Sequence, residues 1–199
     1  MLPLFKSHFS IGKSILTLDD PKKVTEGGSD SVFKIAKDNG LKQIILVEDS
    51  LIGFFEAYKR SKEMGIQLIF GLRLSMRNSA LPEDEGSQHK VIINNLSFGN
   101  AVPDLSFTKA TLFYEDNALA LDYILQEKVK EFSINNDMPM VKVRSIYYNK
   151  KSDVKAFMAY KIICNRSFGK DRSLEKPELP HFCSDKFSFE AWKEENATI

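Results

Sequence analysis

The chain has 199 residues, 43% of them apolar and 28% charged, enough to bury a substantial core as one domain or as one domain with a tail. Its 28 basic and 27 acidic residues leave a net charge of +1, so no global field draws it to nucleic acid, and a stand-alone duplex-DNA binder is disfavoured. No apolar run reaches the roughly 18 residues that span a bilayer. The opening MLPLFKSHFS lacks the basic, apolar and small-residue regions of a signal peptide, so a cytoplasmic location without a membrane partner is expected. Cys164 and Cys183 have neither metal-ligand nor redox spacing and read as ordinary reduced residues.

In chain order, Leu2 to Phe5 is a short apolar start. Ser29 is placed to cap a helix that turns Val32, Phe33 and Ala36 inward and stops at Asn39-Gly40. Ile44 to Val47 reads as a buried strand. Leu51, Phe54, Phe55 and Tyr58 share one face of the next helix, taken as its inward face, and that helix ends near Met64-Gly65. Gln67 to Leu74 is a further strand, followed by the loop RNSALPEDEGSQ and a strand at Val91 to Ile93. Ala118 to Ser133 is a helix with Leu121, Leu125, Val129 and Phe132 inward. Pro139 to Val143 is a strand and Ser152 to Cys164 a helix. Alternating strands and helices call for a mainly parallel sheet wrapped by helices, open or closed into a barrel, with ligands expected at the carboxyl ends of the strands. Beyond Asn165 the chain turns rich in Pro, Ser and charge. This predicts a body over 1–165 and an irregular arm over 166–199, packed on the same domain, with a short helix around Glu190 to Glu194.

Several stretches carry a family resemblance. Gly53 with FEAYKRSKEMGI and LIFGLRL resembles the second part of the PHP domain (polymerase and histidinol phosphatase) found at the start of bacterial DNA polymerase III alpha subunits. FKSHFSIGKSIL resembles the opening His-x-His-Ser motif of that domain, and HKVIINN and SFGNAVPDLSFTKA resemble a later strand and the helix after it. The fit is best over EKVKEFSINNDMPMVKVRSIYYNKKSDVKAFMAYKII. The resemblance covers Leu2 to Trp192 with a large deletion between Ala110 and Glu127, and it implies a distorted, reduced PHP barrel of the (β/α)7 type.

In the family, His, Asp, Glu and Cys side chains at the barrel mouth hold two or three metal ions that run phosphoester hydrolysis, because converging ligands acidify bound water and neutralise phosphate charge. The matching positions here are poorly suited to that task. The first His of the opening pair is Lys6 and the second is His8. The Asp-His strand end is Val47-Glu48, the Glu of the next strand is Arg73, and the late Asp-x-His is Ser145-x-Tyr147. His89 is retained, and the strand carrying the family's Cys falls in the deletion. Two permanent cations, Lys6 and Arg73, would repel a divalent ion but could neutralise Glu48 and Asp49. The site therefore reads as vestigial, with no cofactor expected. The alternative is a single zinc or manganese ion on His8, His89, Glu48 and Asp19. GGSDS at Gly27 to Ser31 has exposed amides before a helix but lacks the rest of a phosphate-binding fingerprint, and is read as a cap.

Three functions follow. The first is a catalytically inactive PHP-like module, phage-encoded by the evidence of its reduction, that serves as a scaffold for a replication or transcription protein of polymerase or exonuclease type. Its contact would be helix faces or the aromatic tail Phe182, Phe187, Phe189 and Trp192. The second is a metal-dependent phosphoesterase or exonuclease with a rebuilt site. The third is a weak single-stranded nucleic-acid binder using Lys142, Arg144, Lys150 and Lys151 beside Tyr147 and Tyr148.

Overall fold

The computed structural model describes residues 1–73, 110–119, 122–164 and 184–196. His89, the strand expected at Val91 to Ile93, Leu121, the side chain of Leu125, Phe182 and Cys183 lie outside the described residues. The chain forms two compact units, one made of Met1–Leu72 with Arg144–Ile199 and the other of Arg73–Val143.

The first unit is α/β with parallel strands. Strand β1 (Leu2–Phe5) pairs with β2 (Gln43–Glu48), placing Leu4 beside Ile45 and Phe5 beside Leu46. β2 pairs in turn with β3 (Gln67–Leu72) from Gln43 beside Gln67 to Glu48 beside Leu72. Ile44, Ile45, Leu46, Val47 and Glu48 are all buried, as expected of a parallel strand covered on both faces. Gly71 of β3 has a local reason to be glycine: a Cβ there would lie 2.9 Å from a Val47 methyl on the neighbouring strand.

Helix α1 (Val32–Asp38) buries Val32, Phe33, Ile35 and Ala36 in the core that includes Phe5, Leu16, Leu18, Ile44 and Leu46. It stops at Asn39, with Gly40 at φ +65°. Its N-cap position is taken by Ser31, whose hydroxyl donates to the Asp19 carbonyl and does not cap the helix. Helix α2 (Phe54–Met64) ends on Gly65 at φ +63°, but its inward face differs from the one expected. Ala57 and Ser61 are buried, while Leu51, Phe54, Phe55 and Tyr58 are exposed. Two stripes of helical spacing compete on this helix. The smaller side chains allow close approach to the body, so the large ones turn outward.

The C-terminal segment belongs to this unit. A 3-10 turn at Asp185–Phe187 leads into the last described helix, α5 (Phe189–Asn196), close to where a short helix is expected. Ser188 bridges Tyr148 in parallel, the Tyr147 amide donates to the Phe187 carbonyl (2.9 Å), and the Phe189 amide donates to the Tyr148 carbonyl (2.9 Å). Phe189 stacks on Phe5, and the Trp192 indole donates to the Met1 carbonyl at 2.9 Å. Helix α4 (Val154–Cys164) packs through Phe157, which stacks on Tyr147 and meets Tyr148.

In the second unit, β4 (Leu112–Glu115) pairs in parallel with the first residues of β5 (Met140–Ile146), a strand that begins in this unit and ends in the other. Helix α3 (Asp122–Asn135) supplies Val129 and Phe132, which pack with Leu112. Ala118, expected to open this helix, adopts φ +57° instead, and the Asp122 carboxylate accepts from the amides of Asn117 (2.7 Å) and Leu119 (2.9 Å). No helix among the described residues is long and apolar enough to cross a membrane.

Candidate functional site

Parallel strands deliver Lys6 and Glu48 to adjacent positions, just past the end of β1 and at the end of β2. The two side chains are fully buried there, as are Ser7 and Ser10, which follow β1. The ammonium of Lys6 lies 3.0 Å from the Asp49 carboxylate, which is 38% exposed. Glu48 has other partners. One of its oxygens accepts from the Ser7 amide at 2.8 Å, and the other accepts from the Ser10 hydroxyl, which in turn accepts from the Asp49 amide at 3.1 Å. Burial pushes the Glu48 carboxyl above its ordinary range, against the opposing pull of the Ser10 and Ser7 hydrogen bonds and the Lys6 charge. The chain after β1 is held by Ser14, whose hydroxyl makes bonds to the carbonyls of Lys6 (2.6 Å) and Tyr147 (2.9 Å).

The remaining expected ligands have local partners. The His8 ring is exposed, with Nδ1 facing the Leu16 carbonyl at 3.3 Å and the ring beside Phe9. Asp19 is exposed and accepts from the Thr17 hydroxyl at 2.7 Å. Ser145 is buried, and Tyr147 is a core residue between Phe157 and Phe187. Among the described residues, no three His, Cys, Asp or Glu side chains converge as a metal site would require. The donor set at the strand ends does not fit a PHP metal cluster: a buried ammonium stands beside Asp49, and both oxygens of Glu48 already accept protein hydrogen bonds.

Arg73, at the start of the second unit, pairs within that unit with Glu115, and the two side chains are 5% and 12% exposed. Glu115 also accepts from the Asn117 side chain at 2.8 Å. A signal for this pairing would have required recognising LFYE as a strand, and four residues inside an assumed deletion gave none.

Two other surfaces are revised. Phe187 and Phe189 are buried and Trp192 is half-buried, so the described part of the tail is core and not a free docking surface. The basic and aromatic strip is interrupted: Lys142 and Lys150 are exposed, but Arg144, Tyr147 and Tyr148 are buried, with Arg144 paired with Glu195 at 3.0 Å and Lys142 paired with Asp116. The loop Gly27 to Asp30 lines an open cavity of about 430 Å³ with Lys34, Asn149 and Lys150, and Asn149 donates to Asp30 at 2.9 Å.

No protein-family model matches the chain, and no curated protein is significantly similar to it.

Proposed function

We propose that this chain is a catalytically inactive, PHP-like module related to DNA polymerase III alpha subunits, acting in the cytoplasm as a protein scaffold in DNA replication and encoded by a phage. The observation that carries this reading is the Lys6 cluster. A fully buried ammonium 3.0 Å from Asp49, with Glu48 committed to Ser7 and Ser10, stands where the resemblance would put metal ligands. Such a cluster holds the strand ends together by charge and hydrogen bonding, the role a metal cluster plays structurally. A buried ammonium there also repels a divalent ion, which counts against phosphoester hydrolysis at this place.

The module's value then lies in its outer surface. The test is affinity purification of the full chain from its native host. A stoichiometric complex with a replication or transcription protein, polymerase or exonuclease among them, supports the scaffold. Manganese-dependent cleavage of bis-p-nitrophenyl phosphate or single-stranded DNA that is lost in His8→Ala replaces it with the phosphoesterase reading.

A further inference from the structure

Helix α2 has three distinct faces. Ala57 and Ser61 point into the body. A second face is electrostatically closed: Arg60 pairs with Glu56 (3.0 Å), Glu63 (2.6 Å) and Asp20 (3.3 Å). The third face is unlike either. Leu51, Ile52, Phe54, Phe55 and Tyr58 are 63, 73, 42, 73 and 47% exposed, a cluster of large apolar side chains on the surface. The ring of Phe54 is braced against Tyr58 and Phe70, so this face is ordered. Lys59 and Lys62, one helical turn beyond Phe55 and Tyr58, are exposed on the same face, and Lys62 lies 5.4 Å from the Tyr58 ring centroid.

The charge balance on this helix selects the partner. Its acidic side chains are absorbed by Arg60, whereas Lys59 and Lys62 make no ion pair with a described residue. A surface of aromatic and aliphatic anchors rimmed by available ammonium groups is complementary to an apolar segment flanked by carboxylates. It disfavours a basic segment, which the lysines would repel.

We infer that the outward face of α2 is the docking surface of the module, and that its occupant is a protein segment with apolar anchors interleaved with Asp or Glu. This rests on the scaffold reading and names its surface. Phe55 and Tyr58 as anchors and Lys59 and Lys62 as rim follow helical spacing along α2, with Leu51 just before its start, which suits an amphipathic helix laid along this face.

The test uses random displayed peptides of about 16 residues selected on the full chain, long enough for a helix of several turns. Selected peptides should combine Leu, Phe or Trp with Asp or Glu. Their binding should weaken at least about tenfold in Phe55→Ser and in the Lys59→Glu, Lys62→Glu double variant, and should fall with added salt. All the substituted side chains are exposed, so the variants should stay folded, which circular dichroism checks. Peptides without acidic residues, or binding that survives both variants, overturn the inference. So does self-association lost in Phe55→Ser, which assigns the face to a second copy, or oligothymidylate binding lost in Phe55→Ser, which assigns it to nucleic acid. A native complex that survives both variants removes this surface and leaves the scaffold standing, whereas failure to find any native complex removes the scaffold itself.

Discussion

Replacing either partner of the Lys6 and Asp49 pair should have unequal consequences, because the two are unequally buried. The ammonium is completely shielded from solvent, and the carboxylate 3.0 Å away retains 38% of its exposure. At an effective dielectric of about 20, charges at that separation attract by roughly 5 kcal/mol, a gross figure that solvent screening of the exposed partner reduces. Asp49→Ala takes a near carboxylate from a fully buried cation and is expected to cost about 3 kcal/mol. Lys6→Met keeps the length of the side chain, removes a buried charge, and leaves Asp49 open to water, so it should fall within about 1 kcal/mol of the parent. Urea unfolding at neutral pH, compared at constant slope, measures both. A Lys6→Met variant as damaged as Asp49→Ala would refute the argument, since the ammonium would then have a value unconnected with its burial.

Further predictions address other parts of the molecule. Burial raises the Glu48 carboxyl above its ordinary value of 4.5, so between that value and the raised one the folded state holds a proton that the unfolded state has released. Stability should therefore fall as pH rises through this window, by at most about 1.4 kcal/mol per pH unit, and Glu48→Gln should remove this slope. Unfolding titrations from pH 4 upward decide it; an unchanged slope in the variant would count against it. Ending the chain at Cys183 removes Phe187 and Phe189, which are 5 and 3% exposed. At about 1.5–3 kcal/mol per buried phenyl group, the loss approaches the whole stability of an ordinary domain, and Tm should drop by at least about 10 °C. A truncated protein that melts like the parent would show that the tail is not core. Arg73→Ala, which takes the guanidinium from a Glu115 side chain that is 12% exposed in the native pair, should cost about 3 kcal/mol, and a neutral result in urea unfolding would mean that water readily replaces the guanidinium.

The elements that were legible in the sequence are those whose burial is continuous or whose punctuation is strong. IILV admitted little but a buried strand, and the glycines after α1 and α2 mark left-handed stops. The strand-end pairing of Lys6 with Asp49 could be anticipated from charge alone. The roles of Ser7 and Ser10 could not, because a serine hydroxyl becomes informative only when a buried carboxylate stands beside it. The faces of α2 were misassigned because residue size was taken as a guide to burial, and in this helix alanine and serine make the close approach. The Arg73–Glu115 pair was not legible because Glu115 comes from a strand too short to announce itself.

The central claim, that the strand ends are closed by side chains and not by metal, is tested most directly by the metal content of protein purified without chelator. Mass spectrometric elemental analysis should find well under one equivalent, on the order of a tenth or less, of zinc, manganese and iron together. One or more equivalents of any of these metals, retained through gel filtration and lost in the His8→Ala variant, would contradict it.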